Sequence, residues 1–209
     1  MTSPDNIIRH QLPDRVLHWI MAACVLTLMG TALLPILGVK FSWVTPHWIT
    51  GLVLTLALLL HLLRSLPLAR LKRMVLAPRD VRDALATLAW FLRLRRSAPL
   101  PGKYSPAQKF IHLAFAVLVL AAVVTGLLMM VKVDNPLWKR NPYLFSADTW
   151  GVIYVVHGGA AVILITMIML HVYFALRPEK RFYLRSMIHG RISRDMFEKN
   201  HDKDRWEFR

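Results

Sequence analysis

The stretch GVIYVVHGGAAVILITMIMLHVYFAL, residues 151–176, decides how the rest of the chain is read. It runs 26 residues without a Lys, Arg, Asp or Glu. A helix needs roughly 20 apolar residues to cross about 30 Å of hydrocarbon. Its two histidines, His157 and His171, stand 14 positions apart. At about 1.5 Å and 100° per residue, that spacing gives about 21 Å of rise and closes to within about 40° of whole turns. Both imidazoles therefore lie on one side of one helix, at two depths. Ionisable groups inside a membrane span are costly and are functional candidates by default.

Three further blocks read the same way: Leu17–Gly38, His47–Ala69 and Phe110–Val131. Arg64 is the one Lys, Arg, Asp or Glu inside the four blocks, near the end of the second, where a long side chain can snorkel to the headgroups. The chain has 209 residues, is 56% hydrophobic and has a mean hydropathy of +0.41. That excess over an ordinary soluble domain is concentrated in the blocks. The expected fold is an all-α integral membrane bundle of four transmembrane helices, a single domain over residues 1–209. The first block is too long for a signal-peptide core and is followed by three more spans, so no cleaved signal is expected. The single Cys24 excludes an intrachain disulfide, an iron–sulfur cluster and a Cys-based zinc site.

The net charge of +15 is a topology signal. Residues 65–107 carry nine Lys/Arg against Asp80 and Asp83, and the tail from Arg177 holds ten more. The other two connections, 39–46 and 132–150, contain only Lys40, Lys132, Lys139 and Arg140 among basic residues. The positive-inside rule then puts both termini and the long middle loop in the cytoplasm. Attraction to anionic lipid follows, and nucleic acid is not needed to explain the charge.

Between the spans, Pro35 and Gly38 close the first helix, and an outer turn with Trp43 and Pro46 leads to the second. After Pro78, Asp80 is a plausible N-cap, and Val81, Leu85, Leu88 and Leu92 fall on one face at helical spacing. Arg82, Arg93, Arg95 and Arg96 lie around the other faces, which reads as an amphipathic helix on the inner membrane surface or against a partner. The outer loop 132–150 carries Trp138, Tyr143, Phe145 and Trp150, the composition of an interfacial belt or of a docking surface.

His47 and His61 repeat the 14-residue spacing of His157 and His171. Two such helices suit two stacked haems, each iron taking one imidazole from each helix. No carboxylate lies within a span to complete a zinc, manganese or di-iron site. No Cys-x-x-Cys-His motif occurs, so the haems are expected to be noncovalent haem b. By depth, the outer haem takes His47 and His157. For the inner haem, His171 has two partners open to it, His61 or His18. Gly51, Gly126, Gly158 and Gly159 suit either close approach of a flat macrocycle or helix–helix packing through small residues.

Several motifs resemble one family. Arg15-Val16-Leu17-His18-Trp19 matches an Arg-x-x-His-Trp pattern opening the first span. Gly102-Lys103-Tyr104-Ser105-Pro106-Ala107-Gln108-Lys109 is similar to a Gly-Lys-Tyr-Asn-x-Gly-Gln-Lys segment before the third. His157-Gly158-Gly159, His171-Val172-Tyr173 and the basic run Met187–Arg194 complete the match. The chain resembles the gamma subunit, a cytochrome b, of membrane-bound respiratory formate dehydrogenases over nearly its whole length. The resemblance implies two haem b groups, with His18 and His171 on the inner iron and His47 and His157 on the outer. It also implies a quinone substrate near the inner haem. The candidates there are Lys103, Tyr104, Ser105 (where the family has Asn), Gln108 and His112, with His61 in a supporting or quinone-site role.

The implied partners are an extracytoplasmic iron–sulfur subunit and a molybdenum or tungsten catalytic subunit, since nothing in this chain could oxidise formate. The competing assignments are the cytochrome b of a hydrogenase, a thiosulfate reductase or another molybdoenzyme, and a haem-free anchor or transporter. His10, His189 and His201 lie in polar segments and are expected to have no special role.

Overall fold

The computed structural model describes residues 6–66 and 74–206. In chain order these form β1 (Asn6–Ile8), α1 (Leu12–Ile36), α2 (Val44–Ser65), α3 (Pro78–Phe91), α4 (Pro106–Met129), α5 (Ala147–Leu176), α6 (Arg181–His189), β2 (Arg191–Ser193) and α7 (Arg194–Asn200). Short 3-10 turns follow α4 and α5 at Met130–Lys132 and Pro178–Lys180. Four helices, α1, α2, α4 with its 3-10 extension, and α5, are long and apolar enough to cross a membrane. Residues 67–69 of the expected second span lie outside the described residues.

The helix ends follow from local chemistry. Ser105 and Gln108 cap α4 reciprocally: the Gln108 N–H donates to Ser105 Oγ at 3.2 Å and the Ser105 N–H to Gln108 Oε1 at 2.9 Å. With Pro106 as first helical residue, this is the Ser-x-x-Gln capping box. Ser146 accepts from the Thr149 N–H at 3.3 Å to start α5, with Asp148 in the favourable first turn. Past α1, Gly38 takes φ +89°.

By contacts the described chain gathers into two compact units, one from residues 16–63 and 115–174, the other from residues 1–15, 64–114 and 175–209. The first is the helical unit, built of the four spans. The second, the polar unit, joins three segments far apart in sequence. β1 pairs antiparallel with β2 in the register Asn6↔Ser193, Ile7↔Ile192, Ile8↔Arg191. Ile192, Phe197 and Trp206 form its apolar core, with Ile7 and Phe182 packed against them. The Asp202 N–H donates to Pro101 O at 2.9 Å, bringing in the middle loop.

Gly190 ends α6 with φ +82°, and a Cβ there would meet His10 O at 2.8 Å and Arg15 Nε at 3.1 Å, so only glycine fits. Its carbonyl accepts from the N–H groups of Arg9 and His10 at 2.8 and 3.1 Å.

Four particulars differ from the sequence reading. Asp80 is the third residue of α3, not its N-cap; its Oδ2 accepts from the Ala77 N–H at 2.7 Å because Pro78 supplies the first turn. Arg64 is not left to the headgroups: its Nε donates to Asp14 Oδ1 at 2.7 Å and its Nη2 to Gln11 Oε1 at 3.1 Å. Trp150 is buried in the first turn of α5 against Phe145 and Tyr154, its Nε1–H on Pro142 O at 3.0 Å and the Lys132 ammonium 4.7 Å from its ring. Burial lets the indole satisfy its N–H internally, whereas Tyr143 is 91% exposed. Residues 178–206 are folded, and His201 among them is 1% exposed.

Candidate functional site

Within the helical unit four of the span histidines meet as two pairs. The ring centroids of His47 (α2) and His157 (α5) are 6.4 Å apart, and those of His18 (α1) and His171 (α5) are also 6.4 Å apart. His171 has Phe115 of α4 edge-on at 5.9 Å, and His18 has its neighbour Trp19 at 5.3 Å. His61 lies near enough to His18 to act on it electrostatically.

The His47–His157 pair carries a feature that sequence reading missed. Thr31 Oγ1 on α1 lies 2.8 Å from His47 Nδ1, and Thr125 Oγ1 on α4 lies 3.0 Å from His157 Nδ1. Both threonines are 8% exposed. The available signal was weak: a threonine in a span normally returns its hydroxyl to its own helix.

The site glycines divide. A Cβ on Gly126 would meet His157 Cε1 at 3.2 Å, so this glycine lets the imidazole lie close to α4. A Cβ on Gly51, Gly158 or Gly159 would meet nothing within 4 Å, so these three are not where helices pack together.

Among the described residues no group of three or more His, Cys, Asp or Glu side chains is gathered to hold a metal ion. Each site thus offers two imidazoles, a donor set that suits a metal whose remaining positions come from a macrocycle. A metal–imidazole bond of about 2.0–2.1 Å, with the nitrogen about 1.15 Å from its ring centre, puts two trans imidazoles about 6.3–6.5 Å apart centre to centre. Both pairs fit that span.

The sequence profile of the prokaryotic cytochrome b561 family matches residues 9–190. The chain belongs to the prokaryotic cytochrome b561 family. It is therefore a multi-pass bacterial membrane cytochrome, binding haem b and serving electron transfer. No curated protein matches the chain. In this cytochrome b561 the spacing of the paired imidazoles fits haem, and a ligating histidine that donates its other N–H to a fixed acceptor is the usual supporting arrangement.

The remaining candidates lie in the polar unit, away from the four paired imidazoles in sequence. Ser105 and Gln108 are committed to capping α4. The Lys103 carbonyl accepts from Arg9 Nη2 at 3.0 Å, and its ammonium is 5.5 Å from the Tyr104 ring centre. His112 is exposed on α4.

His201, expected to be idle, anchors this unit. Its Nδ1–H donates to Gly102 O at 2.7 Å, since a carbonyl only accepts. Its Nε2 then accepts from Arg9 Nη1 at 3.0 Å. The Arg9 guanidinium lies over Tyr183, Trp206 and Tyr104, at 4.5, 5.2 and 5.9 Å from the ring centres. Burial, with the Arg9 charge adding to it, lowers the His201 pKa to about 4.

Proposed function

We propose that this cytochrome is the di-haem membrane subunit of a respiratory formate dehydrogenase, with both termini cytoplasmic. It carries electrons from an extracytoplasmic iron–sulfur partner to a quinone on the cytoplasmic side. His47 and His157 hold the outer haem b, and His18 and His171 the inner. The observation that carries the reading is the twice-repeated 6.4 Å spacing between imidazoles whose α5 members stand 14 residues apart. The motifs at 15–19, 102–109 and 187–194 support the formate dehydrogenase type.

Bound haem b supplies a reversible one-electron couple at each of two depths. The chain's own part would be to hold each haem between two imidazoles, which suits electron transfer. It also sets the separation of the two levels through the 14-residue spacing on one rigid helix. His61, beside His18, provides an imidazole that can hold or pass a proton on the cytoplasmic side, where quinone reduction takes protons up.

The experiment is a haem count on purified full-length protein, with dithionite-reduced spectra, on wild type, His18→Ala and His61→Ala. Two low-spin haems per chain are expected in wild type, one in His18→Ala and two in His61→Ala. A chain with no reducible haem refutes the reading. Loss of a haem from His61→Ala but not from His18→Ala refutes the inner ligand assignment. Identifying the proteins that co-purify tests the donor: an iron–sulfur subunit with a molybdenum or tungsten formate enzyme is expected, and a hydrogenase or thiosulfate reductase overturns that part.

A further inference from the structure

Resting on the di-haem reading, we infer that Thr31 and Thr125 are positioning residues. They fix the tautomer of His47 and His157 and make the haem held there lower in potential than the one held by His18 and His171.

A threonine hydroxyl has one proton. Thr125 Oγ1 lies 2.6 Å from Ala121 O and 3.2 Å from Ala122 O, and Thr31 Oγ1 lies 2.9 Å from Thr27 O and 3.0 Å from Leu28 O. Carbonyls only accept, so each hydroxyl spends its proton on its own helix. Its contact with the imidazole must then be one in which Nδ1–H donates and Oγ accepts. Both rings are thereby held as the Nδ1–H tautomer, with the lone pair on Nε2, the nitrogen left to bind iron.

The contact is selective. Thr27, Thr55 and Thr166 make the same bond to the carbonyl four residues back, at 2.9, 2.7 and 3.4 Å. Among the described residues none of these three touches a histidine, and none is buried. Only the two buried threonines, one on α1 and one on α4, meet ligands on α2 and α5. An acceptor on the far nitrogen makes the imidazole a stronger donor, which favours the ferric state and lowers the potential. Around the other pair the ring neighbours are Trp19 and Phe115, and among the described residues no threonine makes the corresponding contact to His18 or His171. The electron-entry level is thus the lower in potential, and transfer toward the other level runs downhill.

The test is an optical redox titration, with low-spin electron paramagnetic resonance spectra, of full-length protein carrying Thr125→Val, Thr31→Val, or serine at either position. In each valine variant one of the two haem components is expected to move to higher potential with altered g-values while the other stays. Serine, which keeps the hydroxyl, should restore the wild-type values. If a valine variant loses one haem and serine retains it, the hydroxyl requirement is upheld. The inference is overturned if both valine variants keep two haems at unchanged potentials, or if serine behaves as valine does. A wild-type protein without haem is a different result, which removes the functional reading itself.

Discussion

Protonating His201 sets a new N–H against the Arg9 guanidinium at the one nitrogen that must accept from it. The folded state therefore keeps this imidazole neutral down to about pH 4. In the unfolded chain it gains a proton near pH 6.5. Between those values the unfolded state binds more protons, so stability is complete above about pH 6.5 and falls as pH drops towards 4. The full loss is on the order of 3 kcal/mol. Limited proteolysis of residues 191–206 is expected to accelerate between pH 7 and pH 5 in wild type and to lose this dependence in His201→Gln. A flat wild-type profile would refute it. The span histidines were legible in the sequence, because a histidine in hydrocarbon is conspicuous against its neighbours. His201 was illegible because its neighbours are charged, and its burial comes from Phe197 and Trp206 meeting Arg9, which is 192 positions away. Thr31 and Thr125 were illegible for another reason: self-bonding within a helix already explains them.

At the scale of elements, periodicity and length were enough to give the four spans and α3. The helix ends were less legible, since an end depends on which neighbour takes the orphan N–H. The α3 helix shows this. Its apolar residues Val81, Leu85 and Leu88 are exposed, while its acidic Asp80 is buried, which periodicity alone does not suggest. The cause is Lys109 of α4, whose ammonium donates to Asp80 Oδ2 at 2.9 Å and Oδ1 at 3.1 Å, both side chains 6% exposed. Burial pushes the Asp80 carboxyl up, but the Lys109 and Ala77 hydrogen bonds outweigh it and hold it below the usual carboxylate range. This pair fastens the start of α3 to the first turn of α4. Removing one partner of a buried pair strands a charge at a cost of about 3–5 kcal/mol. Lys109→Met is expected to lose stability of that order in denaturant titration of the full chain. Adding Asp80→Asn, which still accepts from Ala77, should recover most of it. Equal losses in the single and double variants would show that the ion pair is not what fastens the two helices.

For the whole molecule, the charge distribution is the basis of the proposed direction of electron transfer. The segments joined in the polar unit include residues 65–107 and the tail from Arg177, with nine and ten Lys/Arg, against four in the other two connections together. Holding so much positive charge on the cytoplasmic face is what the insertion machinery enforces, and it is counted in loops of this length near span ends. The proposed function needs that orientation. It makes the His47–His157 level outer and the His18–His171 level inner, so that electrons entering outside move inward. Reporter fusions after residue 206 and within 132–150 test it in cells. A reporter active only in the cytoplasm should work at the first site and fail at the second, and a periplasmic reporter should do the opposite. Single cysteines at Tyr143 and Ser97, in a Cys24→Ala background, give a second readout. An impermeant thiol reagent added to intact spheroplasts should label position 143 and spare position 97. Labelling in the reverse pattern inverts the protein in the membrane and with it the direction of electron flow, whatever haems the chain binds.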